Sequence, residues 1–182
     1  LSGRHSGELA ELRRQVRLKF AMKDLGPTHH NLGMKITRDQ TSKRLWLTQS
    51  DYVWRILEGF NLATAKPATT PLLANLRLSL VLVPYAPTVG SLMYCMVTTR
   101  RDIAHAVGIV NRFMHNPSRA HWNVVKHIFR YMVGTQEYRI AFSPDEPSSL
   151  VGYTDSDYGG CIDSRKSTPD YCFKLGHGSI SW

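Results

Sequence analysis

The sequence predicts an α+β chain with a β-hairpin near its start, a helical centre, and short strands at its end. Three observations carry this. Apolar residues recur at three- and four-residue steps from residue 88 to 133, the spacing of one helix face. After residue 138 the period drops to two, as in half-buried strands. Between the hairpin and the helical centre, Pro67, Pro71, Pro84 and Pro87 discourage long regular elements.

The elements follow in order. Leu9, Leu12, Val16 and Phe20 space a first helix over 8–20, with Arg13, Arg14, Arg17 and Lys19 between them. Gly26-Pro27 turns the chain. Residues 31–37 alternate as a strand, 39–42 turn, and 43–48 return, which makes a hairpin. Residues 49–59 form a helix whose apolar face is Tyr52, Val53, Ile56 and Leu57, with Phe60 just beyond. Residues 61–87 read as irregular. The helical centre opens with Val89, Leu92, Met93 and Met96 and continues with Ile103, Ala106, Val107, Val110, Phe113 and Met114. Asn116-Pro117-Ser118 interrupts it, with Ser118 as N-cap. A last helix carries Trp122, Val125, Ile128, Phe129 and Met132 on one side and ends at Gly134. Residues 138–143, 150–155, 171–175 and 179–182 then read as strands that begin one sheet.

Composition narrows the function. The 182 residues are 42% hydrophobic, enough to fill a core and against global disorder. No run of apolar residues is long enough to span a bilayer, so no membrane role is expected. Cys95, Cys161 and Cys172 have no metal-binding spacing and read as reduced thiols of an intracellular protein, in cytoplasm or nucleus. Residues 1–144 hold 20 basic and 8 acidic residues, and residues 145–182 hold 3 and 6. A basic body with a carboxylate-bearing end suits a polyanionic partner, though an ordinary basic protein has the same balance.

Two features carry chemistry. Asp155 and Asp157 close the apolar strand from Leu150 and precede Gly159-Gly160. Two apart on a strand, they share a face. They repel one another unless a cation sits between them. A solvated strand end before a turn is the plain alternative. The second feature is basic. Arg119, Lys126 and Arg130 lie off the apolar stripe of the last helix, and Arg112 closes the helix before it. These four track phosphates or make a solvated face. The eight histidines form no zinc pattern, and no phosphate-loop, dinucleotide or hydrolase motif occurs. No two aspartates are adjacent anywhere in the chain.

The order of short motifs resembles copia-type LTR retrotransposon polyproteins. The runs that carry the resemblance are 20–27 (FAMKDLGP), 32–36 (LGMKI), 45–49 (LWLTQ), 89–94 (VGSLMY), and Thr99-Arg100 with 102–107 (DIAHAV). Further on come Arg112-Phe113-Met114, Asn116-Pro117, Gly152-Tyr153-Thr154-Asp155, 163–168 (DSRKST) and Ile180-Ser181-Trp182. The resemblance implies the end of a reverse transcriptase palm and the start of its thumb over 1–66. It implies a helical thumb/connection unit over 67–136 and a truncated, incomplete RNase H-like sheet over 137–182. It implies RNA-directed DNA synthesis and RNA cleavage in RNA–DNA hybrids for the parent. There Asp155 is the first catalytic, Mg²⁺-binding carboxylate, with Asp157 beside it, and the basic helix faces hold hybrid or duplex.

The polymerase's paired aspartates are expected before residue 1 and the remaining nuclease carboxylates after Trp182. The chain alone is therefore expected to be inactive and to bind no Mg²⁺ stably, with an open sheet edge that favours self-association. Arg101 in place of a family proline, Pro169-Asp170 in place of Ser-Gly, and Tyr158 in place of tryptophan depart from the pattern. A non-catalytic basic module for nucleic acid, or a translated relic without function, are the alternatives.

Overall fold

The computed structural model describes residues 6–23, 25–72, 84–144, 149–156, 167 and 169–182. The elements are α1 (Ser6–Lys19), β1 (His30–Asn31), β2 (Met34–Asp39), β3 (Arg44–Thr48), α2 (Ser50–Gly59), α3 (Tyr85–Thr98), a 3₁₀ turn (Arg101–Ile103), α4 (Ala104–Asn111), α5 (Arg119–Gly134), β4 (Arg139–Phe142), β5 (Leu150–Ser156), β6 (Pro169–Leu175) and β7 (Gly178–Ser181).

The predicted helices form for the expected reasons. Val53, Ile56 and Leu57 of α2 are buried, as their spacing requires. Asn61 beyond its end adopts φ +55°, and Leu62 and Asn61 donate back to the carbonyls of Leu57 and Glu58. That left-handed cap satisfies carbonyls the helix leaves unpaired. Helix α3 starts at Tyr85, inside the stretch expected to be irregular. Pro84 precedes it and Pro87 sits in its first turn, where backbone N–H groups have no intrahelical acceptor and proline costs nothing. Helix α1 forms, but Leu18 and Phe20 are 74% and 63% exposed, so its apolar side covers no core.

The core lies among α2, α3, α4 and α5. Leu57, Val89, Leu92, Val107, Val110, Val125, Ile128, Phe129 and Met132 are sealed from solvent. The Tyr85 hydroxyl donates to the Val110 carbonyl at 2.7 Å and ties the start of α3 to the end of α4. Such a continuous apolar cluster is the main favourable term in folding.

The strands divide differently from the expectation. β4 does not open the C-terminal sheet. It pairs antiparallel with β3, from Leu45 opposite Phe142 to Thr48 opposite Arg139, and completes a sheet of order β1-β2-β3-β4. Ile140 and Phe142 fall on the same face as Leu45 and Leu47, so the apolar alternation is satisfied across 90-odd residues of intervening chain. Period alone cannot choose between such partners. β5, β6 and β7 form a separate antiparallel sheet in that order.

Several contacts among the described residues fasten that second sheet to the rest. The Trp182 indole donates to the Met96 carbonyl at 2.9 Å. Arg101 donates to the Cys172 sulfur at 2.7 Å. Gly178 of β7 lies against the Phe142 ring of β4, where an added Cβ would fall 2.1 Å from a ring carbon. Gly178→Ala is therefore expected to cost about 1–3 kcal/mol through overpacking. The check is a thermal melt together with proteolysis, which should now cut β5–β7 first.

Apart from this attachment the second sheet is poorly covered. Leu150, Tyr171, Phe173 and Leu175 share one face by register and are 39–64% exposed. Among the described residues no helix is long and apolar enough to cross a membrane.

Candidate functional site

Helix α5 positions three of the four basic residues singled out in the sequence. It begins where Ser118, in extended backbone at φ −98° and ψ 169°, caps it. The Ser118 hydroxyl accepts from the His121 N–H, and the Ser118 N–H donates to His121 Nδ1 at 3.0 Å. This is a capping box with histidine in the place usual for Glu or Gln. The His121 ring stacks on Phe113 at 3.8 Å, which fixes the end of α4 against the start of α5.

Arg119 stands exposed in the first turn, with Lys126 and Arg130 half-buried further along. Steps of seven and four residues keep the three within one narrow stripe. At 1.5 Å per residue the stripe is about 16 Å long. Arg112, exposed at the C-terminal cap of α4, lies at the Arg119 end because of the Phe113–His121 stack. Arg130 also has a structural task. Its Nε donates to the Lys66 carbonyl at 2.7 Å, and its own carbonyl accepts from the Ala68 N–H, so it holds residues 66–68 onto α5.

Arg100 and Arg101, adjacent in the sequence, are split by the fold. Arg101 is exposed, whereas Arg100 is 1% exposed. Arg100 makes a two-pronged bond to the Asp102 carboxylate at 2.9 and 2.8 Å. It also donates to the Thr135 carbonyl and hydroxyl at 3.1 and 2.6 Å. The rings of Tyr131 and Tyr138 flank it at 5.8 and 5.5 Å. A guanidinium so enclosed locks the start of α4 to the end of α5 and is not a phosphate contact. Local sequence gave no signal of this burial, since Thr135 lies 35 residues away.

Titration follows the same geometry. Burial alone raises the Asp102 carboxyl, but the hydrogen bonds and charge of Arg100 outweigh it and hold it below its ordinary value. Burial pushes the Tyr131 hydroxyl up to about 12, helped by its bond to Asp102. Burial likewise pushes the Cys95 thiol to about 12, so that it is no nucleophile near neutral pH. His121 and His127 are held below the ordinary value of 6.5, both chiefly by burial.

A base with a lowered folded-state value binds fewer protons folded than unfolded. Its contribution is complete above about pH 6.5 and is lost as pH falls through the folded value. Protonation of His121 Nδ1 also removes the acceptor in the capping box. An acid with a lowered value, such as Asp102, loses its contribution as pH falls below about 4. Stability is thus expected to fall in two stages on acidification, read by denaturant midpoints across pH. His121→Gln, which keeps an acceptor, should weaken the first stage.

Asp155 lies near the end of β5, exposed, with its Oδ1 accepting the Ser156 N–H at 2.8 Å. Asp157 lies outside the described residues. Across the ladder Asp155 is directly opposite Asp170 of β6. In the sequence Asp170 stands out only as a departure from the family pattern, because register is not visible there. Like charges directly opposite destabilise a strand pair. Among the described residues Asp155 and Asp170 offer two carboxylates here, fewer than a pair of Mg²⁺ ions needs. Among the described residues no three His, Cys, Asp or Glu side chains come together as a metal cluster.

By sequence the chain is similar to mobile-element polyproteins. The family described as "Reverse transcriptase (RNA-dependent DNA polymerase)" matches residues 1–74. The chain belongs to the copia-type retrotransposon Pol polyproteins. It is 48% identical over 193 aligned positions to the "Retrovirus-related Pol polyprotein from transposon TNT 1-94" of Nicotiana tabacum, covering 99% of this chain and 14% of that protein. It is 45% identical over 100 positions to the "Secreted RxLR effector protein 161" of Plasmopara viticola, covering 55% of this chain and 70% of that one. It is 35% identical over 174 positions to an uncharacterised mitochondrial protein of Arabidopsis thaliana, covering 92% and 71%. The chain thus spans about one-seventh of the tobacco polyprotein. No solved structure gives a significant match.

Proposed function

We propose that this chain is a nucleic-acid-holding segment of a reverse transcriptase/RNase H polyprotein and performs no chemistry unaided. The observation that carries the first half is the one-sided row of Arg119, Lys126 and Arg130 on α5, continued by Arg112. A rigid helix with cations at one face matches the regular phosphate spacing of an RNA–DNA hybrid, which proteins read through backbone shape. Residues 1–66 belong to the end of the palm and the start of the thumb in this reading, 67–136 to the thumb and connection, and 137–182 to the opening of an RNase H-like domain whose own sheet starts at β5, since β4 joins the first sheet. Asp155 is the carboxylate that contributes to Mg²⁺ binding in the parent enzyme, with Asp170 across the ladder as its neighbour. The metal supplies Lewis-acid stabilisation there. What this chain's own residues do is hold the backbone.

The absence of any adjacent aspartate pair in the 182 residues supports the lack of polymerase activity. Primer extension and hybrid cleavage in magnesium buffer should both read background. Mg²⁺-dependent turnover that disappears in Asp155→Asn would overturn the inactivity.

Hybrid affinity should fall steeply with salt, because each phosphate contact releases counterions. Arg119→Ala with Lys126→Ala should flatten the salt slope by roughly 1.8, about 0.9 for each lost contact. An unchanged slope removes α5 from the interface. A relic without a stable fold would instead melt broadly, whereas the continuous helical core leads us to expect a cooperative transition.

A further inference from the structure

Uncovered apolar residues collect toward the two ends of this chain. Among the described residues, 17 large hydrophobic side chains are exposed, six of them within 12–32 and seven within 150–180. Apolar patches of that kind mark interaction surfaces. The first is α1. Leu9, Leu12 and Val16 recur at steps of three and four, and Phe20, whose N–H donates to the Val16 carbonyl, extends the stripe. Leu12 and Phe20 are 43% and 63% exposed. Helical spacing sets Arg13 and Arg17 along one border of the stripe and Lys19 along the other. Residues 12–23 hold five basic residues and no acid.

The second surface is the β5–β7 sheet. Its exposed apolar face holds Leu150, Tyr171, Phe173 and Leu175. The reverse face carries Cys172, which Arg101 reaches from the helical body. Asp155 and Asp170 also belong to the reverse face, at one end of the sheet. Residues 145–182 hold 3 basic and 6 acidic residues. One surface is thus apolar within a basic segment, and the other is apolar within an acidic one.

We infer that two copies of this chain associate about a two-fold axis, α1 of each lying on the exposed apolar face of the other's β5–β7 sheet. A sheet with one bare apolar face is stably covered by a helix. The lengths agree. The 14 residues of α1 run about 21 Å, and the seven residues of β5 or β6 run about 24 Å. Charge chooses the occupant, because α1 of a second copy brings an apolar stripe bordered by cations to the acidic segment. The two acids of the sheet point away from the covered face. Charge therefore steers the approach, and apolar burial holds the pair together. A specific interface buries about 1,200–2,000 Å² in total, more than one short helix on one small sheet supplies. The exchange must therefore be mutual, and a two-fold pair closes where a one-way contact would run on into fibres. Neither surface includes a residue of α5, so this inference does not rest on the nucleic-acid reading.

Sedimentation equilibrium of the 182-residue protein tests it. A monomer–dimer equilibrium in the micromolar range is expected, weakened by added salt. Leu12→Gln/Phe20→Gln and Leu150→Gln/Tyr171→Gln alter exposed positions and change no charge. Each should weaken the dimer about tenfold or more while melting like the parent. Mixed in equal amounts, the two variants keep one intact contact, an unaltered α1 on an unaltered sheet. The mixture should therefore contain more dimer than either variant alone. Contacts of α1 with α1, or of sheet with sheet, predict no gain on mixing, and that result overturns the inference. A protein that stays monomeric, a dimer that either variant leaves intact, or growth past two copies overturns it as well.

Discussion

Arg100→Ala is expected to cost about 3–5 kcal/mol, enough to threaten the fold of a domain of ordinary stability. The guanidinium is sealed between Asp102, Thr135, Tyr131 and Tyr138. Its removal strands the half-buried Asp102 carboxylate without its cation and leaves the Thr135 carbonyl without that donor. The loss should therefore exceed that of an ordinary cavity. Arg100→Met tests this reading, because it fills the volume and restores no charge. If stranded charge dominates, Arg100→Met with Asp102→Leu should recover more stability than Arg100→Met alone. Urea midpoints for the four proteins give the answer, and a full recovery by Arg100→Met alone would mean that volume, not charge, was the cause.

Phe129→Ala is expected to cost about 3–5 kcal/mol as well, for a different reason. Phe129 is sealed in the core and its ring meets that of Phe60 at 5.3 Å. Truncation leaves a cavity between α2 and α5 that close-packed neighbours fill only in part. The stripe of Arg119, Lys126 and Arg130 sits on the same helix, so hybrid affinity should fall only as far as the folded fraction falls. Phe129→Leu, with a smaller loss of volume, should cost markedly less. A melt that barely moves in Phe129→Ala would contradict the placement of the core.

The helices were legible because each buries a stripe that its own sequence spells out. Val53, Ile56 and Leu57 in α2, and Val125, Ile128, Phe129 and Met132 in α5, are spaced for one face and are buried on one face. Ser118 was readable as a cap from the break before it, while its partner His121 was not, since histidine is not the usual residue there. The basic face of α5 was readable in the same way. Helix α3 starts three residues before the apolar spacing predicts, because Pro84 and Pro87 occupy positions where a helix tolerates proline.

What stayed hidden depends on distant pairing. Tyr138–Ser143 has the alternation of a strand, but nothing in it names β3 as its partner. Asp170 looked like a local oddity and became the residue facing Asp155 only through the β5–β6 register. Arg100 looked like Arg101, and burial separated them.

The sequence by itself determined the family, the helix faces, the strand periods and the excess of positive charge, because each of these is written in residues near one another along the chain. The tertiary structure decided which strand joins which sheet, which arginine is buried, and which cations align into a surface. Those outcomes turn on register and burial, which are set when segments far apart in sequence compete for the same edge or the same interior volume.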